Sequence, residues 1–123
     1  MPKKIVYIDD DIEMIYLIKM ILERKGYEII SINDGLESFE IIKNEQPDLV
    51  MLDLMMPNID GWDIYHQLKS DEITSDIPVI IISAKAQPID KVLGLQVAKV
   101  NNYISKPFRP QELIDSIEKI LNN

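Results

Sequence analysis

The sequence predicts an α/β chain folded as a doubly wound sheet of five parallel strands with helices on both faces. Three observations predict it. Short apolar runs alternate strictly with amphipathic stretches, five times over. The runs are β-branched and nearly uninterrupted, as in strands covered on both sides. No linker, repeat or low-complexity tract separates the units, and right-handed crossovers leave few topologies for them.

Lys4-Ile5-Val6-Tyr7-Ile8 reads as the first buried strand. Ile12, Ile15, Ile18, Ile21 and Leu22 then recur at helical spacing, with Gly26 as a C-terminal stop. Glu28–Ile32 is the second strand, and Asn33-Asp34-Gly35 is a turn into a helix carrying Leu36, Phe39 and Ile42. Pro47 precedes the third strand, Asp48–Leu52. Asp60-Gly61 caps a third helix running through Leu68, with Asp63 in its first turn as a dipole partner. Pro78 opens the fourth strand, Val79–Ile82, and a fourth helix covers Ile89–Ala98. A short fifth strand, Asn102–Ser105, leads to a last helix, Pro110–Leu121, with proline at its start.

At 123 residues, the chain is expected to be a single domain, 1–123, without an output domain. Its 46% hydrophobic and 28% charged residues are an ordinary globular balance. Without cysteine, neither a disulfide framework nor a thiolate metal site is possible. The longest apolar runs, such as Val79-Ile80-Ile81-Ile82, are too short to span a bilayer. Met-Pro-Lys-Lys runs straight into a strand with no signal peptide, so the expected location is cytoplasmic. The net charge of −8 disfavours direct contact with nucleic acid or an anionic membrane, both of which require a basic face.

In sheets of this kind, function sits beyond the C-terminal ends of the strands. The first strand ends in Asp9-Asp10-Asp11, the third in Asp53, the fourth in Ser83-Ala84 and the fifth in Lys106-Pro107. Carboxylates gathered at one edge repel unless a cation sits among them. A hard divalent ion is the natural partner, and magnesium suits few carboxylates plus a phosphate. Such a site is ready for phosphoryl transfer, with an aspartate as nucleophile and lysine pairing the phosphate as a point charge. A serine hydroxyl is a donor to the same phosphate. Taken singly these residues have ordinary readings: one of the three aspartates caps the first helix, and Lys106 is surface charge. Their joint placement carries the argument.

The motifs Tyr7-Ile8-Asp9-Asp10, Asp53-Leu54-Met55-Met56-Pro57-Asn58-Ile59-Asp60-Gly61, Ile82-Ser83-Ala84-Lys85 and Tyr103-Ile104-Ser105-Lys106-Pro107-Phe108 stand in order at the strand ends. With them the chain closely resembles, along its whole length, the receiver domain of two-component response regulators. The resemblance implies a flavodoxin-like (βα)5 fold with strand order 2-1-3-4-5. It implies that Asp53 accepts a phosphoryl group from a sensor histidine kinase or phosphotransfer protein. Mg2+ (or Mn2+) would be held by Asp10, Asp53 and the backbone carbonyl of Met55, with Asp9 acting largely through water. Lys106 would pair the phosphate, Ser83 would be the switch hydroxyl with the Ala84 backbone N–H beside it, and Tyr103 the aromatic that rotates inward. The Lys106-Pro107 peptide would be cis and aim the lysine at the site. The domain would catalyse only its own phosphorylation and dephosphorylation. It would shift population to regulate a downstream target or fused output domain, as a monomer or phosphorylation-induced dimer, through the face near Lys91, Leu95, Tyr103 and the last helix.

Three departures from the family's pattern bear on this. Lys99-Val100 stands where a glycine usual after helix four would be, and Asn101 or Asn102 is expected to supply the left-handed residue. Met55 and Lys85, each two residues past a motif residue, are poor at positioning water, so a slow-decaying phosphoform is expected. Pro88 should stiffen the start of helix four.

His66, the only histidine, reads as a surface residue of the third helix; Trp62, Tyr65 and Leu68 read as packing, and Met51, Met55 and Met56 as core or rim. Ser70–Asp76 reads as a polar connector. The enzymatic rival is a haloacid-dehalogenase-type phosphatase with Asp9 as nucleophile. Glu13 stands where that motif wants Thr or Val, and the fourth strand ends in Ser83-Ala84 rather than an acidic pair. A flavodoxin-like FMN binder would have its phosphate repelled by Asp9-Asp10-Asp11. A receiver fold that binds partners without phosphorylation sits poorly with the intact Asp10, Asp53, Ser83 and Lys106 set.

Overall fold

The structure is a computed structural model and describes residues 2–84 and 87–122. The long strands are β1 (Lys4–Ile8), β2 (Glu28–Ile32), β3 (Leu49–Asp53), β4 (Val79–Ser83) and β5 (Asn102–Ser105). They form one parallel sheet in the order β2-β1-β3-β4-β5, the predicted doubly wound topology. The helices are α1 (Ile12–Arg24), α2 (Ser38–Glu45), α3 (Gly61–Lys69), α4 (Pro88–Val92) and α5 (Pro110–Leu121).

Alternation along the strands divides the core into two layers. Ile5, Tyr7, Met51, Ile80, Ile82 and Ile104 pack against Ile18 and Leu22 of α1 and Leu113 and Ile117 of α5. Val6, Ile8, Val50, Leu52, Val79 and Ile81 pack against Ile42 of α2 and Ile64 and Leu68 of α3. Both faces of β1, β3 and β4 are therefore apolar, which is why their sequences read as continuous runs.

Local chemistry sets the helix starts. Asp11 caps α1, accepting from the backbone N–H of Glu13 and Met14, and Asp60 caps α3 through Trp62 N–H at 2.9 Å. Gly26, at φ +90, ends α1 as expected. The β3–α3 connection contains a tight hairpin, Met55-Met56 against Ile59-Asp60, with Asn58 left-handed at its turn. Gly61 returns the chain so closely that a Cβ there would stand 2.6 Å from Leu54 Cα.

Several expectations are corrected. β3 begins and ends one residue later than predicted, so Asp53 is itself within the ladder, opposite Ile82. Ile12 and Leu36 share helical spacing with core residues yet are exposed, because each lies at a helix entry turned from the sheet; Leu36 sits in a 3-10 turn, Gly35–Glu37. The fourth helix is not one α-helix: α4 gives way to a π-helical turn, Leu93–Val97, closed by Ala98 N–H donating to Leu93 O at 2.8 Å. The left-handed residue after it is Lys99, φ +62, and neither Asn101 nor Asn102. Asn101 is needed elsewhere, exchanging hydrogen bonds with the backbone of Val79 at the start of β4. The stretch Ser70–Asp76 is also more than a connector. Thr74 is buried with its hydroxyl on Leu68 O, and Asp71 pairs with Lys43 at 3.0 Å.

Candidate functional site

Asp9, Asp10 and Asp53 meet at the C-terminal edge of β1 and β3, each offering a carboxylate oxygen within 4.8 Å of the others. Parallel pairing brings them together: Ile8 lies opposite Leu52, so the residues that follow share the sheet edge. Asp9 and Asp53 are buried and Asp10 is exposed. Asp11, next in line, is taken up by capping α1.

Lys106 directly follows the end of β5, its backbone N–H on Ser83 O, and the peptide that joins it to Pro107 is cis. Its ammonium donates to Asp9 Oδ2 at 2.8 Å and to Asp53 Oδ2 at 3.2 Å. Asp9 Oδ1 accepts from Asp11 N–H at 2.9 Å, and Oδ2 also accepts from the hydroxyl of Tyr7. Asp53 Oδ1 accepts from Met55 N–H at 3.0 Å.

This asymmetry of donors separates the two buried acids. Burial raises the pKa of Asp9, but Lys106, Tyr7 and the Asp11 N–H together outweigh it and hold the carboxyl below its ordinary value. Asp53 is pushed up to about 6, chiefly by burial and also by the charge of Asp9, against the opposing pull of Met55 N–H and Lys106. Burial works against the Lys106 charge, yet the two carboxylates raise its pKa overall. The Tyr7 phenol is raised by burial and then by Asp9, so it remains a donor. Three carboxylates against one ammonium leave negative charge uncompensated at this edge. An all-oxygen donor set of this kind fits Mg2+.

Ser83 is buried at the end of β4 and faces the opposite side of the sheet with Ile81. Tyr103 of β5 is only 4% exposed and is hydrogen-bonded to Ser83; burial raises its pKa and that bond lowers it. The ring is seated on Gly94 of the π-turn. Ala84 follows directly as an exposed residue, and Met55 is 57% exposed beside Asp53. Lys85 lies outside the described residues. His66 is exposed on α3 and away from the acidic edge, as predicted, and its ring meets that of Tyr65 edge-on.

The sequence reading brought Asp9, Asp10, Asp53 and Lys106 to one edge, and they meet there. It gave Tyr7 a place in the Tyr7-Ile8-Asp9-Asp10 motif but no role as a donor to Asp9. The available signal was a phenol two residues before Asp9, hence on the same face of β1. It also missed Gly94, for which no local pattern pointed to Tyr103.

The comparisons with known proteins agree with this geometry. Residues 5–118 match the family described as the response regulator receiver domain. The chain is 37% identical over 121 residues to the alkaline phosphatase synthesis transcriptional regulatory protein PhoP of Bacillus subtilis, covering 98% of this chain and 49% of that protein. It is 36% identical to the phosphate regulon transcriptional regulatory protein PhoB of Pseudomonas aeruginosa, covering 97% and 52%. The DNA-binding response regulator MtrA of Mycolicibacterium paratuberculosis is 35% identical, covering 93% and 49%. The chain thus spans about half the length of the curated relatives it matches. Among solved structures, the BeF3-activated N-terminal receiver domain of Klebsiella pneumoniae RstA superposes with a TM-score of 0.87 at 28% identity, covering 98% and 99%. A CheY-like receiver domain protein from Methanospirillum hungatei gives 0.88 at 27%, covering 99% and 95%. No described helix is long and apolar enough to cross a membrane. A profile matched almost end to end, on this sheet order and with this acidic edge, places the chain among the response regulator receiver domains, the signalling domains of two-component systems.

Proposed function

We propose that this receiver takes a phosphoryl group onto Asp53 from the phosphohistidine of a sensor kinase or phosphotransfer protein. The carrying observation is Lys106, whose single ammonium already spans Asp9 Oδ2 and Asp53 Oδ2. In the transfer a carboxylate oxygen of Asp53 forms a bond to phosphorus while the N–P bond of the donor breaks. The electron pair leaves with the imidazole nitrogen, and the product is an acyl phosphate. Asp9, Asp10, Asp53 and the Met55 carbonyl would hold Mg2+ or Mn2+, which when bound neutralises charge on the peripheral phosphoryl oxygens. The domain catalyses only this step and its own dephosphorylation, in which water takes the phosphoryl group as inorganic phosphate and the Asp53 carboxylate is released.

Ser83 would then turn to the phosphate, with the Ala84 N–H beside it; Tyr103, the aromatic expected to rotate inward, is already inward at 4% exposed, and would pass the change to the π-turn it packs against. Helix α4 and the π-turn expose Ile89, Val92, Leu93, Leu95 and Val97, an apolar face suited to a protein partner. The target is read as a protein or a fused output domain. The net charge of −8 leaves any DNA contact to parts beyond these residues.

Intact mass spectrometry after incubation with acetyl phosphate and Mg2+ tests the reading. One phosphoryl group should be gained by the native chain and none by Asp53→Asn, with size exclusion of both forms reporting dimerisation. Labelling that survives Asp53→Asn but not Asp9→Asn would instead favour the phosphatase chemistry. The burial of Asp9 beneath three donors speaks against that outcome.

A further inference from the structure

Tyr7 is the one residue of Ile5–Ile8 whose side chain carries a polar atom, and it is fully buried, its ring in the layer with Met51, Ile82 and Ile104. Being two residues before Asp9 on a strand, it leaves the backbone on the same face. Its hydroxyl donates to Asp9 Oδ2, the same oxygen that accepts from Lys106 at 2.8 Å. Asp9 is itself fully buried. One carboxylate oxygen is therefore shared by a donor fixed in the core and a cation on a flexible stem.

That sharing matters when charge appears on Asp53. The Lys106 bond to Asp53 is the longer of its two, at 3.2 Å, and a doubly charged phosphoryl group there would draw the ammonium away from Asp9. A buried carboxylate oxygen stripped of its donor is costly, and bulk water does not reach Asp9. The phenol is already in place to keep that oxygen hydrogen-bonded.

We propose that Tyr7 is a positioning residue of the phosphoryl site: its hydroxyl holds Asp9 Oδ2 while Lys106 passes from Asp9 to the group on Asp53. The inference rests on Asp53 being the acceptor.

Tyr7→Phe removes only the oxygen. Beryllium fluoride, a phosphoryl mimic, is titrated in saturating Mg2+ and followed by 19F NMR and by fluorescence of Trp62, the sole tryptophan. Tyr7→Phe should bind the mimic about tenfold more weakly than the native chain, with its affinity for Mg2+ alone changed by less than about twofold, since Lys106 still covers Asp9 in that state. In a Lys106→Ala background there is no cation to hand over, and adding Tyr7→Phe should change mimic affinity little. Equal affinity in native and Tyr7→Phe chains overturns the proposal. So does a parallel loss of Mg2+ affinity, or a loss that persists with Lys106→Ala, since either marks a merely structural role. If the native chain binds no beryllium fluoride, it is the acceptor reading that fails. Thermal unfolding in EDTA verifies that each variant is folded, and Tyr7→Met, long and apolar, repeats the test if Tyr7→Phe is not.

Discussion

Gly94 lies under the ring of Tyr103 so closely that a Cβ on Gly94 would stand 2.7 Å from Tyr103 Cδ2 and 3.4 Å from Cε2. The buried position of Tyr103, and its bond to Ser83, therefore depend on bare backbone in the π-turn. Gly94→Ala should displace the ring and cost about 1–3 kcal/mol of stability, as overpacking does. Tyr103→Ala opens the space the methyl needs, so the double variant should lose clearly less than the sum of the two single losses. Urea unfolding of the four proteins measures the cycle; additive losses would mean that the two residues do not compete.

Asp53 has a folded-state pKa of about 6 without metal, above its ordinary 3.8. The folded state thus binds this proton more tightly than the unfolded one, and the contribution of Asp53 to metal-free stability falls as pH rises from about 4 to 6 and stays reduced above. Asp53→Asn removes that charge and should raise stability in EDTA at pH 7.5 by on the order of 2 kcal/mol. The gain should vanish below about pH 4, where the acid is protonated in both states. Thermal unfolding of both proteins across this range checks the sign.

How far such a site is legible depends on where its residues lie. Asp9, Asp53, Ser83 and Lys106 could be assembled from sequence because each sits at the end of a strand, and strand ends of a parallel sheet share one edge by topology alone. The strands were legible because burial on both faces leaves an unbroken apolar run. Helix four was not. Its π-turn depends on a shift to i+5 hydrogen bonding, seen in Ala98 to Leu93, and its left-handed exit falls on Lys99, which has no intrinsic preference for that conformation. Ile12 and Leu36 misled for a related reason: helical spacing fixes a stripe but not where along the stripe the helix meets the sheet. The donor role of Tyr7 was hidden because a phenol is also an ordinary strand residue.

The acidic edge should bind divalent metal in the absence of any phosphoryl donor. Binding to the folded state alone stabilises by RT ln(1 + [L]/Kd), about 1.4 kcal/mol at ten times Kd. Mg2+ should therefore raise the unfolding temperature of the native chain, while Asp10→Asn, which alters the exposed member of the three, should blunt the rise without lowering the unfolding temperature in EDTA. Differential scanning calorimetry with and without Mg2+ reads both effects.

Ser105, opposite Ser83 in the β4–β5 ladder, has a buried hydroxyl with no hydrogen-bond partner among the described residues. Its desolvation is not compensated, so Ser105→Ala should leave the fold intact and raise stability by about 1 kcal/mol. A fall in the urea midpoint would show that the hydroxyl is partnered in solution.

Met55 bears on how long the signal lasts. Its N–H is fixed on Asp53 Oδ1 at 3.0 Å, while its side chain is 57% exposed at the mouth of the site. Hydrolysis of an acyl phosphate needs a water held in line with the bond that breaks, and a thioether holds water poorly beside a carboxamide, which both donates and accepts. The phosphoform should therefore decay over minutes or longer at neutral pH rather than seconds. Met55→Asn keeps the backbone N–H on Asp53 and adds polar atoms at the mouth, so it should shorten the lifetime several-fold with little change in the rate of labelling by acetyl phosphate. Loss of the phosphoryl mass against time, in native and Met55→Asn chains, gives both rates. A native lifetime of seconds would show that another group near Asp53 orders the water.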